Sequence, residues 1–457
     1  MLLEHARGPN NNGCNLPASL AEQIGSYEPL VRRILAAFDG GPLSGTTYSA
    51  LAEFVDWFGH RIVGSESLEA GIDHLVESLE AAGVDRVWTE PVETPVWIRG
   101  KEEAFLVEPR RVPLAVLGLG GSVATPPGGI TAPVVVVRSF EELDRRQDEV
   151  NGTIVLFNPE WIDYFQYVPH RSQGASRAAR YGAVGALIRS ATSKSLYTLH
   201  TGMLRYDSTV PKIPAASVTV EDADFLTRLA DRGSRVVVHL EMSNNHSQGV
   251  SRNIIADIVG SVHPEQFVIL GAHTDSWDVG QGAIDDGCGV FIGLAAMAYV
   301  RRLQQRPRRT LRLVLWTSEE NGLVGSAEFV RKHRDEMGNI SLALESDFGT
   351  FAPLGLTTTS ENNVTRCILQ RVLSLLAPIG ATRLEDAGQR GSDVVKLAEL
   401  GVPASILLNR NERYFDYHHT HADTVSALNS RDMDRCAALW TAVGYIVADL
   451  REMLPRN

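Results

Sequence analysis

The chain has 457 residues, 44% of them hydrophobic and 21% charged, with a formal net charge of -12. That length exceeds one ordinary hydrophobic core and predicts two domains, or one domain carrying an insertion. The acidic balance leaves no basic face to collect phosphates, which argues against nucleic acid and against an anionic membrane as partner.

The opening "MLLEHARGPNNNGCNLP" places acid, base and proline where a signal peptide needs an apolar stretch, and the longest apolar run, around "VFIGLAAMAYV", is too short to span a bilayer. Cys14, Cys288, Cys367 and Cys436 lack C-x-x-C spacing, so neither a cysteine zinc site nor a disulfide framework is indicated. Sequons at Asn151, Asn245, Asn339 and Asn363 suit a glycoprotein but also arise by chance in a long chain.

The stretch "SESLEAGIDHLVESLEAAG" sets Leu68, Ile72, Leu75 and Leu79 at helical spacing and closes on Gly83, predicting an amphipathic helix. From residue 102 the pattern changes to short β-type runs such as "APVVVV" and "GTIVLF", with one alanine-rich helix, "GASRAARYGAVGALI". This β-rich insertion is read over 102–246, dividing the main domain into 1–101 and 247–457. The polar tract "SNNHSQGVSRN" reads as the returning linker. Strands then follow at "NIIADIVG", "QFVILGA", "LRLVLW", "ISLALES" and "PASILLN", with helices between them, the best being "VFIGLAAMAYVRRL". That alternation predicts a doubly wound α/β fold, in which ligands gather at the carboxyl ends of the parallel strands.

Polar clusters fall at those ends: His273 and Asp275 after the second strand, Glu319 and Glu320 after the third, Asp347 after the fourth. A two-metal hydrolytic site needs imidazole and carboxylate ligands, a bridging carboxylate, and a free carboxylate to take a proton from water. His273 and Asp347 suit one zinc, Glu320 and a late histidine the other, with Asp285 as bridge. The late histidine comes from "YHHTHADT", which holds His418, His419 and His421. Neighbours on an extended strand point to opposite sides, so one of Glu319 and Glu320 ligates while the other is free to act as base. Asp275, two residues past His273, is placed to accept the other ring N–H and fix the tautomer.

Blander readings compete. An isolated Glu-Glu pair is ordinarily a solvated turn, and Asp275 an ordinary turn cap. A calcium loop is a further reading of so many aspartates, disfavoured by Trp277 at a position needing an oxygen ligand and by the missing closing glutamate. There is no G-x-S-x-G elbow and no Walker loop, and "LGLGGS" lacks the third glycine of a dinucleotide fingerprint.

The segments "HTDSWDVGQGAIDDG", "RTLRLVLWTSEENG", "LALESDFGTF", "GVPASILL" and "YHHTHADT" together resemble the M28 family of co-catalytic zinc exopeptidases, and the likeness runs from about residue 45 to the end. The resemblance implies a doubly wound mixed sheet of the zinc-exopeptidase type with an inserted protease-associated domain over 102–246. It implies two Zn2+ per chain: His273 and Asp347 on one, Glu320 and His419 on the other, Asp285 bridging, Glu319 as base and His418 stabilising the oxyanion. It further implies a cis peptide between Asp285 and Asp286, a homodimer, a secreted or lysosomal setting, and hydrolysis of dipeptides or short peptides with free termini. The insertion would carry no catalytic group, and the aromatic residues of its "WIDYFQYV" are expected to be packing.

Rival readings are an aminopeptidase acting on longer peptides, acyl transfer of the glutaminyl-cyclase kind, and a binding protein with decayed metal sites. Cys288, following "DDG", departs from the small residue expected there, and Asp278 has no assigned role.

Overall fold

The computed structural model describes residues 14–388 and 392–456. The opening segment up to residue 13, read above for export signals, lies outside the described residues. Two eight-stranded mixed sheets organise the rest.

The first sheet runs, in spatial order, Arg86–Ile98, Asn245–Ile258, Arg309–Trp316, His263–His273, Ile340–Glu345, Ala404–Asn409, Pro353–Thr358 and Arg383–Asp386. The four strands Arg309–Trp316, His263–His273, Ile340–Glu345 and Ala404–Asn409 are mutually parallel. Three of them are buried along their whole length, which is why they read as continuous apolar runs. Alternate side chains feed opposite layers: Leu311, Leu313 and Leu315 join the core with helices Cys288–Arg301 and Ser430–Asp449. Val314 and Trp316 pack on the other face with Phe329 and Leu397. Helices on both faces make the sheet doubly wound, as the alternation predicts. The helix Glu66–Ala81 also forms as predicted, capped by Ser65 and burying Leu68, Ile72, Leu75 and Leu79.

Several local readings are corrected. The apolar stretch Ala283–Arg301 is long and apolar enough to cross a membrane by composition, contrary to the reading above, but 78% of it is buried inside the protein. The tract "SNNHSQGVSRN" is mostly strand rather than linker. Arg86–Ile98 pairs with it antiparallel, from Arg86 opposite Asp257 to Ile98 opposite Asn245. In Arg86–Ile98 the alternate residues Val92, Thr94 and Val96 are buried, and Pro91 and Pro95 are tolerated because it is an edge strand. Cys14 and Cys367 form a disulfide across 353 residues, a pairing that no local spacing could announce. Cys288 and Cys436 are buried free thiols.

The chain leaves the ribbon at Ile98 and returns at Asn245; the second sheet is built between these points. Its order is Val112–Leu114, Glu102–Glu108, Val237–Met242, Ile130–Val137, Ile154–Phe157, Gly185–Arg189, Ala215–Val218 and Val116–Gly118. The alanine-rich segment does not form a single helix. A helix covers Tyr164–Ala179 and its continuation "GALIR" is a buried strand, because those apolar residues fill the sheet between Ile154–Phe157 and Ala215–Val218.

Candidate metal centre

The cluster forms where the parallel strands end. His273 is the last residue of its strand, Asp347 follows Ile340–Glu345 by two residues, and Glu319 and Glu320 follow Arg309–Trp316. Asp285 arrives on the loop before helix Cys288–Arg301, and His418 and His419 follow the short helix Tyr414–Tyr417. The Asp285–Asp286 peptide is cis.

Two imidazoles are presented in the same way. His273 turns Nδ1 to the Asp275 carbonyl at 3.0 Å, and Nε2 to Asp347 Oδ1 at 3.0 Å and Asp285 Oδ1 at 3.2 Å. His419 turns Nδ1 to the Thr201 carbonyl at 3.3 Å, and Nε2 to Glu320 Oε2 at 3.0 Å and Asp285 Oδ2 at 3.2 Å. A carbonyl only accepts, so Nδ1 carries the hydrogen in both rings. In a neutral ring each Nε2 lone pair then faces two carboxylates, an arrangement that requires a cation, either a proton or a metal ion. Asp285 Oδ2 and Glu320 Oε1 are moreover buried with no hydrogen-bond partner. This donor set fits two metal ions sharing Asp285, with His273 and Asp347 on one side and Glu320 and His419 on the other.

Proton occupancy reports the same field. Burial opposes charge on His273, but Asp347, Asp275 and Asp285 outweigh it and raise the ring well above the ordinary histidine value. His419 is likewise raised, with burial opposed by Glu320 and Asp285.

Glu319 stands apart from the ligands, accepting from Ser392 Oγ at 2.9 Å. Burial lifts its carboxyl well above the usual range; His273 opposes this, while Asp347, Glu320 and Asp275 add to it. Strand alternation, expected to send Glu319 and Glu320 to opposite sides, does not reach them. The strand ends at Trp316, Ser318 adopts φ 58°, and both glutamates line one cavity, separated by partners rather than by sheet face. Trp277 Nε1 donates to Glu320 Oε2 at 2.6 Å and so fixes that carboxylate.

Asp275 behaves differently from expectation. Its carboxylate is 3.7 Å from His273 Nδ1 and instead accepts from the backbone N–H groups of Glu319 at 3.1 Å and Glu320 at 3.2 Å. The ring tautomer is set by the Asp275 main chain, while the side chain shapes the glutamate turn. His418 stacks on His419 at 3.4 Å between ring centres, with Nε2 3.6 Å from Asp285 Oδ2. Burial and then His419 hold it well below the ordinary histidine value, so it is a neutral imidazole. A left-handed φ of 61° at His419 accompanies the entry of two consecutive rings into the site, while His421 is exposed.

Other roles emerge only in three dimensions. Asp278 forms a two-point ion pair with Arg99, 2.7 and 2.9 Å, which ties the metal loop to the start of the second sheet. Asp286 accepts from the backbone of His273 and Gly289. Asp423 accepts from Ala283, Ile284 and Asp285 N–H groups, holding the bridging residue in place. Its one sequence signal is its place four residues after His419 in "YHHTHADT". Arg61, 1% exposed, donates to the carbonyls of Thr274, Gln281 and Gly282, and nothing in its sequence context marks it. Nor are the insertion's aromatics mere packing: Tyr164 and Phe165 line the cavity over the cluster, and Tyr164 stacks on Phe415 at 4.3 Å. Tyr167, by contrast, is buried in the core of the second sheet.

Comparisons with known proteins show the family. A model of peptidase family M28 matches residues 253–444. Carboxypeptidase Q of Xenopus laevis is 47% identical over 435 residues, covering 95% of this chain and 92% of that protein. The crystal structure of a peptidase M28 precursor from Shewanella amazonensis SB2B matches with a TM-score of 0.89 at 33% identity, covering 95% of this chain and 99% of that one. BSAP, a zinc aminopeptidase from Bacillus subtilis, matches with a TM-score of 0.66 at 19% identity over 87% of this chain and 93% of that one, a likeness of fold.

Proposed function

The chain belongs to peptidase family M28 and is a metal-dependent peptidase, and from that premise we propose an exopeptidase that cleaves dipeptides or short peptides with free termini. The observation that carries this reading is the pair of imidazoles, each with Nε2 aimed at two carboxylates, sharing Asp285. His273, Asp347, Asp285, Glu320 and His419 would hold two zinc ions, which when bound supply Lewis acidity and make water a nucleophile near neutral pH.

Glu319 takes the proton of the attacking water. It then returns that proton to the leaving amine, which restores the carboxylate for the next turnover. His418, a neutral imidazole at the cavity wall, is placed to donate to the developing oxyanion. Asp275 acts at one remove, by orienting His273 and the glutamate turn. In this reading residues 102–246 are a protease-associated domain inserted in a peptidase domain made of 1–101 and 247–457, and the protein works as a homodimer.

Metal analysis beside a dipeptide assay tests the proposal. Glu319→Gln is expected to keep two zinc ions and to lose turnover by at least about 100-fold. One zinc per chain would favour cyclase-type chemistry, and near-normal rates in Glu319→Gln would remove it as the base. An aminopeptidase acting on longer peptides is the second reading, favoured by the fold likeness to BSAP; cleavage of amino-acid arylamides but not free dipeptides would establish it.

A further inference from the structure

The cavity over the cluster measures about 450 Å³ and is two-sided in charge. Its floor presents Asp285, Glu319, Glu320 and Asp347, while the wall contributed by the second-sheet segment presents Arg171 and Arg205. Arg171, on helix Tyr164–Ala179, is only 8% exposed. A guanidinium has five N–H donors, and burying one without acceptors is costly. The comparably buried Arg61 and Arg312 meet that cost with backbone carbonyls and carboxylates respectively. Arg171 makes a single long bond, Nη1 to the Thr201 carbonyl at 3.3 Å, and its Nε is buried with no partner. Among the described residues it forms no ion pair.

The guanidinium lies beside the cluster. A Cβ built on Gly202 would fall 2.4 Å from Arg171 Nη1 and 2.8 Å from His419 Nδ1, so only the absence of a side chain at 202 lets the two rows meet. Gly202 also adopts φ 133°, a conformation that a side chain would disfavour. Arg205 sits over the glutamate turn, its Nη2 3.7 Å from a Cβ built on Gly322.

An unpaired, buried guanidinium facing a substrate cavity calls for a planar anion. On the cavity wall, away from the residues that would hold the metal ions, Arg171 and Arg205 are the cations that can receive an anionic substrate group. The anion that every unblocked peptide carries is its C-terminal carboxylate. We infer that Arg171, assisted by Arg205, binds the free carboxylate of the residue released by hydrolysis. The inference rests on the peptidase reading above and deepens it: the enzyme cuts next to a free C-terminus, so C-terminally blocked peptides are rejected. Arg171 is then a specificity residue supplied by the segment that was expected to carry no catalytic group.

The test compares Ala-Phe with Ala-Phe-amide on the zinc-loaded full chain. Wild type is expected to favour the free acid by at least about 10- to 100-fold in kcat/KM, and Arg171→Gln to lose about that factor on the acid, chiefly through KM. Arg171→Lys should recover part of it, and Arg205→Ala, at an exposed position, should lose a smaller part. A calorimetric titration with phenylalanine and phenylalaninamide reads binding without turnover, with thermal melts confirming that each variant folds. Acid-selective binding that Arg171→Gln abolishes supports the assignment. Equal handling of acid and amide by wild type, or an unchanged ratio in Arg171→Gln, overturns it. If wild type hydrolyses neither substrate, the peptidase reading falls, and the phenylalanine titration alone decides whether Arg171 holds a carboxylate.

Discussion

Trp277 and Gly120 touch so closely that no other residue fits at 120: a Cβ there would lie 1.8 Å from Trp277 Cη2. The glycine-rich tract "LGLGGS" thus serves to seat an indole, and that indole donates to the metal-facing Glu320. Gly120→Ala is expected to push Trp277 off Glu320 and weaken zinc at the Glu320–His419 side by about 10- to 100-fold, as loss of an outer partner of a metal ligand does. Competition with a chelator of known affinity measures this. Unchanged affinity for both ions would show that Trp277 does not orient Glu320.

Arg61 cross-links the loop that carries the metal ligands through the carbonyls of Thr274, Gln281 and Gly282. Arg61→Met would strand three acceptors in the core, and a loss of about 3–5 kcal/mol is expected. Urea unfolding at pH 7 checks it. A loss below about 1 kcal/mol would mean that water replaces the guanidinium.

His200, one residue before the Thr201 carbonyl that receives His419 Nδ1, supplies a pH-dependent term. Its Nε2 is 3.1 Å from the Phe415 carbonyl, and burial pushes the imidazole down from 6.5 to about 3. Between these values the unfolded chain binds a proton that the folded chain does not. The stabilisation is therefore complete above pH 6.5 and declines as pH falls towards 3. From pH 7 to pH 5 the wild type should lose about 2 kcal/mol more than His200→Asn, a difference read from urea unfolding at the two pH values in one metal state. Parallel profiles would show that His200 titrates normally.

Much of the site was legible in the residues themselves. Alternation of apolar strands and helices located the parallel strand ends, and hard ligands after three of those ends named His273, Glu319, Glu320 and Asp347 as partners. Strand ends are readable because a fully buried parallel strand must be continuously apolar, so the first polar residues beyond it stand out. The ribbon from Arg86 to Ile98 was not read: Val92, Thr94 and Val96 alternate into the interior, but Pro91 and Pro95 interrupt the run and the first half of its partner Asn245–Ile258 is mostly exposed.

What the sequence determined by itself was the chemistry on offer and its order along the chain: which residues can ligate, bridge or take a proton. Tertiary structure alone decided how each one is held. The Asp275 carboxylate serves two backbone amides and not the imidazole, Asp278 belongs to Arg99, and Arg171 from a distant segment lies beside His419. Those outcomes depend on distances of a few ångströms between segments some 40 to 250 residues apart, and hydrogen bonds and ion pairs are set by such distances, which no local pattern of residues contains.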